Sequence, residues 1–269
     1  MMIKRLFLLT VLVQGFPALA HEFWIEPQQY QVESGNELVA DLKNGENFEG
    51  VSLGWFEKNF SRFEIVSGNE VMPVPGRAGD FPAMAVEAPG EGLVIILHET
   101  TPASLKYNEW QKFLNFAEHK GFDTAEARHI ENGWPQEGFR ESYTRHAKAL
   151  VAVGDGAGSD RAFGLETEIV ALANPYDAGF DGRMPVRVHY QGAPRAGAQV
   201  EVFDRAPDGS VTVSLAQTDE AGEAEIAVTP GHDYLLDAVV LRESPKAGTA
   251  EDAPVWETLW AALTFSVPQ

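Results

Sequence analysis

Hydrophobic and polar positions alternate over most of this chain in short runs closed by turn residues. That period of two predicts strands with one buried face. His21 to Glu26 alternates, with His21, Phe23 and Ile25 on one face and Glu22, Trp24 and Glu26 on the other, and Pro27 ends the run. Further strands are expected over 37–42, 52–57, 62–66, 70–74, 81–87 and 92–99, separated by Ser34-Gly35-Asn36, Asn44-Gly45, Ser67-Gly68-Asn69 and Pro89-Gly90. Leu93 to Leu97 is continuously apolar and reads as a central strand that delivers His98 at its end.

The period changes between about 104 and 145. Trp110, Phe113, Leu114 and Ala117 recur at helical spacing, so a helix is expected over 104–120 and is stopped by Gly121. Asp123 or Thr124 is expected to cap a second helix through about Glu131, and Gln136 to Arg145 reads as a third. On that helix Glu141 and Arg145 would pair at i,i+4. Ala147–Val153 then returns to the first sheet, and the glycine-rich run Gly154–Asp160 links to a second β region. Strands are expected there over 165–171, 184–190, 198–203, 212–218, 223–228, 233–241 and 256–265, with a mobile loop over 246–254. The expected fold class is mainly β: two β-sandwich domains, 21–161 with the helical insertion and 162–269.

The first twenty residues carry a different signal. Lys4 and Arg5 precede the apolar run Leu6–Val13, and Ala18-Leu19-Ala20 is a small-residue cleavage site, so a secretion signal is expected to end between Ala20 and His21. The apolar run is too short for a bilayer span of about 20 residues. Removal of the first 20 of 269 residues leaves 249, expected in the periplasm or outside the cell with no membrane span. Lys4 and Arg5 leave with the signal, so 18 basic residues then face 40 acidic ones. That balance repels phosphate backbones and excludes nucleic acid as a partner. The absence of cysteine excludes thiolate metal sites and thiol nucleophiles.

As a new N-terminus, His21 would offer a metal two nitrogens, its α-amine and its ring Nδ1. The amine's ordinary pKa of about 7.7–8.0 allows the ion to displace its proton. Nickel, cobalt and copper favour such imidazole and amine nitrogens. His98 is the first choice for a second imidazole, followed by His189 and His232, with oxygen from Glu22 or Glu99. His119, His129 and His146 have polar neighbours and are expected on the surface or at helix caps. No catalytic residues are assigned. Ser142 lies near His146 without an oxyanion loop, and no pair of histidines brackets a glutamate as in zinc proteases.

The chain carries two family resemblances. Gly192–Ala198 with Val200, Thr218–Gly222 and Pro230–Tyr234 resemble the turns of transthyretin-like or carboxypeptidase-regulatory-like β-sandwiches, which implies a fold and no activity. His21-Glu22-Phe23-Trp24-Ile25-Glu26-Pro27, Arg140–Arg145 with Lys148–Val151, and Asn174-Pro175-Tyr176 resemble the bacterial family of unknown function DUF4198 over nearly the whole chain after the signal. Many members carry the label of periplasmic component of nickel or cobalt uptake. The resemblance implies a binding protein that takes a divalent transition metal to a membrane transporter. Two alternatives stand beside it: a non-enzymatic envelope scaffold or adhesion module, and a copper oxidase built on an N-terminal histidine brace.

Overall fold

Alternating residues build three β layers, and the computed structural model describes residues 22–269 of them. The strands are β1 (Glu22–Pro27), β2 (Gln31–Val32), β3 (Glu37–Glu46), β4 (Glu49–Leu53), β5 (Phe60–Ser67), β6 (Glu70–Pro73), β7 (Met84–Glu87), β8 (Gly92–Thr100), β9 (Ala103–Tyr107), β10 (Phe139–Val153), β11 (Thr167–Ala171), β12 (Arg183–Tyr190), β13 (Ala193–Pro194), β14 (Gln199–Arg205), β15 (Val211–Gln217), β16 (Glu223–Ala227), β17 (Asp233–Glu243) and β18 (Trp256–Ser266). Two helices, α1 (Trp110–His119) and α2 (Ala125–Glu131), interrupt them.

The middle layer is a ten-stranded sheet in the order β15-β14-β17-β18-β10-β8-β5-β6, with β2 and β9 joined to β10. The first outer layer is β1-β3-β4 with β7 on β3; the second is β11-β12-β13 with β16 on β12. The two faces of β8 show how the layers are glued. Val94 and Ile96 pack toward the β1 layer with Phe23, Ile25 and Leu38. Leu93, Ile95 and Leu97 pack toward the β12 layer with Val186 and Val188. A strand buried on both faces reads as a continuous apolar run, as this one does.

The mainly β architecture of packed sheets agrees with the sequence reading. The expected boundary at 161/162 falls between β10 and β11, and strands from both sides of it share the central sheet. β10 pairs in parallel with β18 from Glu141↔Trp256 to Ala149↔Thr264.

The helical region differs in two places. Residues 103–107 form β9, so the first helix starts only at Trp110. The third helix, expected over Gln136–Arg145, is instead the start of the 15-residue β10. β9 pairs with Phe139–Tyr143 on one side and β18 with Glu141–Ala149 on the other, and these distant partners override any local preference. The expected i,i+4 pairing of Glu141 with Arg145 is therefore lost. α1 buries Phe113, Phe116 and Ala117 against Trp256 and Trp260 of β18. It ends at His119, with Lys120 as its C-cap and then Gly121, whose φ of +73° is open to glycine at little cost. Thr124 does precede α2 but makes no side-chain capping bond.

A cavity and a buried charge cluster at the start of β1

Both faces of β1 are covered. Phe23, Trp24 and Ile25 are buried, and so is Glu22. The strand therefore separates two polar sites. Phe23 borders a cavity of about 630 Å³, while Glu22 is drawn into a cluster of charges at the end of α1.

The cavity is walled by Phe23, Tyr107, Phe116 and Trp260, and by three residues of β10: Glu141, Tyr143 and Arg145. Those three lie two apart along a strand and so share one face. Glu141 is fully paired: Tyr107 donates to its Oε2 at 3.0 Å and the Thr258 hydroxyl donates to Oε1. Burial nevertheless pushes its carboxyl up to about 7, against the pull of both donors. Arg145 is the opposite case. Its guanidinium carbon lies 5.1 Å from the Tyr143 ring centroid and 5.4 Å from that of Trp260. Its Nε and Nη1 are buried without any hydrogen-bond partner among the described residues. Burial lowers its pKa from the ordinary arginine value, although Tyr143, Asp237, Glu22 and Glu141 act in the other direction.

On the other side, Lys120 ends α1 and inserts its ammonium among three carboxylates. It lies 3.4 Å from Glu22 and 3.0 Å from Asp237, and also bonds Glu201. Burial works against the charged lysine, but Asp237, Glu201 and Glu22 together raise its pKa. The carboxyls respond unequally. Burial pushes Glu22 up to about 7 and raises Asp237. Burial would also raise Glu201, yet His119, at 2.7 Å, and Lys120 outweigh it and hold that carboxyl low. Lys120 and Glu201 thus form the ionised core of the cluster. Glu22, Glu201 and Asp237 come close enough for a cation, and among the described residues they are the one such group of ligand-type side chains. The ammonium of Lys120 already fills that role.

The predicted ligands are dispersed. His21 lies outside the described residues. His98 is buried in a cage of Phe23, Phe60 and Phe63, whose ring centroids lie 5.1, 5.5 and 5.0 Å from its own. Its Nδ1 has no partner among the described residues, and burial lowers its pKa to about 3, so the imidazole is neutral. His189 belongs to β12, in the layer on the far side of the central sheet. Its Nδ1 is also buried without a partner among the described residues. His232 bonds Asp204 at 2.6 Å, next to Asp233, which shares Arg205 with Glu26. That is the Pro27 end of β1, roughly 13 Å from Glu22 at the strand rise of about 3.3 Å per residue. Glu22 is engaged by Lys120, and Glu99 belongs to no group of three ligand-type residues among those described.

His129 and His146, expected at the surface, are both buried. His129 accepts from Trp256 Nε1 at 3.0 Å and donates to the Pro135 carbonyl; His146 Nδ1 lies 3.1 Å from the Trp260 carbonyl. Their polar sequence neighbours hid them, because on a strand or a one-sided helix neighbours face the other way. His119 is half-exposed, as expected, but is tied to Glu201.

A family model described as a domain of unknown function, DUF4198, matches residues 18–242. The chain belongs to the DUF4198 family. The match runs from just ahead of β1 almost to the end of β17, so in this DUF4198 chain it spans all three layers. No curated protein matches it. Among solved structures, one described as the tetra-tandem repeat in the extending region of a large adhesion protein is 8% identical, over 91% of this chain and 49% of that one. The DUF4198 chain thus spans about half of that chain's length, and the TM-score of 0.21 lends the likeness no weight.

Sequence reasoning missed the two cations that organise the DUF4198 site. Arg145 carried a legible signal: Phe139, Glu141, Tyr143 and Arg145 alternate as a strand face does. Lys120 carried none, since a lysine beside a helix-ending glycine reads as a solvated cap. No described helix is long and apolar enough to cross a membrane.

Proposed function

We propose that this chain is an exported binding protein for a divalent transition metal ion, nickel or cobalt, which it passes to a membrane uptake system. The ion is its cargo, held at the start of β1 by the amine and imidazole of His21 with the imidazole of His98. The observation that carries this reading is the unpartnered Nδ1 of His98, in a ring that packs on Phe23, two positions after His21. A buried polar atom without a partner calls for an explanation, and a neutral imidazole is the form that binds metals. His189, in the layer beyond the central sheet, and His232, at the Pro27 end of β1, lie too far from the start of β1 to join this centre.

Calorimetric titration of nickel, cobalt and copper into metal-free protein tests the reading, with the N-terminus established by mass spectrometry. We expect 1:1 binding that is lost when one residue is added before His21 and weakened at least about tenfold by His98→Phe. Affinity should fall as pH drops through about 6–8, where the amine and the His21 imidazole take up protons. Absence of binding by the unextended protein, or equal affinity at pH 8 and pH 5, would remove the metal reading.

A further inference from the structure

The cavity beside β1 has chemistry of its own, independent of any metal. Its walls mix polar side chains with the aromatic rings of Phe23, Tyr107, Phe116, Tyr143 and Trp260, and Arg145 lines it beside Tyr143 and Trp260. About 630 Å³ is the size of a site for a small organic molecule. Buried cations are ordinarily paired, because leaving one without a partner forfeits its hydration. The other cations near this cavity are satisfied or lie toward its rim. Lys112 pairs with Glu109 at 3.0 Å, Lys106 is exposed, and Lys120 belongs to its own cluster. Glu22 and Asp237, which act on Arg145 from a distance, bond Lys120 instead.

We propose that this cavity binds a small organic monocarboxylate with an aromatic or otherwise apolar body, its acid group paired with the guanidinium of Arg145. A guanidinium presents two parallel N–H donors that match a carboxylate. The rings of Tyr143 and Trp260 both pack against the guanidinium, their centroids 5.1 and 5.4 Å from its carbon, and help to hold it in place. Arg145 is the buried cation of this wall whose Nε and Nη1 lack partners among the described residues, and one such charge favours a monoanion over a dianion such as phosphate. Apolar rings facing the cation give the body of the ligand its burial.

The test is titration of the purified chain, kept in a chelator, with benzoate, phenylacetate and 3-phenylpropionate. Phenylacetamide and inorganic phosphate serve as controls. We expect at least one carboxylate to bind and to change tryptophan fluorescence, through Trp260, with both controls inert. Arg145→Met should weaken binding about thirtyfold or more. Ala103→Trp, which fills the cavity wall at an exposed position and leaves Arg145 in place, should abolish it. This second variant keeps the test decisive if Arg145→Met does not fold. No binding of any carboxylate by the native chain overturns the proposal. So does phosphate binding equal to that of the carboxylates, or affinity unchanged in both variants. Because the chelator removes metals, the outcome is separate from that of the metal titration.

Discussion

Two buried acids make opposite statements about stability. Glu201 is held ionised by Lys120 and His119, and burial pushes Glu141 up to about 7 against two hydroxyl donors and the charge of Arg145. For Glu141 the folded state holds its proton more tightly than the unfolded one. Its stabilisation is therefore full below the ordinary glutamate pKa of 4.5 and is lost as pH rises through about 7. Ionising it costs on the order of 3 kcal/mol. We expect Glu141→Gln, which keeps the shape, accepts from one of the two hydroxyls through its amide oxygen and donates its amide N–H to the other, to raise the melting temperature at pH 8 and leave it nearly unchanged at pH 5. Thermal melts at the two values check this, and an equal effect at both would disprove it. Lys120→Met should be costly at every pH above 5. It leaves Glu201 and Asp237 without their cation, and breaking such a buried pair costs about 3–5 kcal/mol. Denaturant unfolding would show this as a lower midpoint with an unchanged slope.

Among the elements, β10 links the central sheet to the cavity. Its first part has neighbours on both sides: Ser142 pairs with Ser104 of β9 and Glu257 of β18. Proline there removes a ladder donor from a central strand. Ser142→Pro should lower the melting temperature by roughly 5 °C or more and open the cavity wall. A fully stable Ser142→Pro variant would contradict the strand. The same stretch marks the limit of local reading. Leu93–Leu97 declares a doubly buried strand because burial on both faces demands apolar residues throughout. Residues 139–145 mix charged, hydroxyl and aromatic side chains because one face borders a polar cavity. What makes them a strand is pairing with residues more than a hundred positions away, around Trp256. α1 was legible from Trp110, Phe113 and Ala117, since its apolar stripe is local. The role of Lys120 at its end was not, since it depends on Glu201 and Asp237, brought in by two strands of the other half.

Across the whole molecule, the division into two sandwiches at 161/162 meets a sheet that ignores it. β14, β15, β17 and β18 come from beyond the boundary, yet continue the sheet begun by β5, β6 and β8. The seam is β10 against β18, nine residue pairs in parallel register, with Thr264 donating to the Ile25 carbonyl of β1 at 2.7 Å. Charge ties are added where Lys120 of the first half meets Glu201 and Asp237 of the second, and where Arg205 meets Glu26 at 2.6 Å. Cutting the chain at the boundary would expose the apolar edge of β10 in one piece and of β18 in the other. Exposed, flat, hydrophobic edges aggregate. We therefore expect residues 21–161 and 162–269, produced separately, to be insoluble or unfolded, and the whole chain to melt in one transition. Its calorimetric and van't Hoff enthalpies should then agree. Two separable transitions, or a soluble half with native-like strand content, would show instead that the layers are stable on their own and that the seam only docks them. The cavity and the charge cluster both depend on this seam, since Trp260 and Asp237 belong to one half and Arg145 and Lys120 to the other. Weakening it, for example with Ala262→Asp opposite Ala147, should therefore cost the cavity its carboxylate binding before the chain unfolds globally. Ligand titration along a mild denaturant series would resolve the two events.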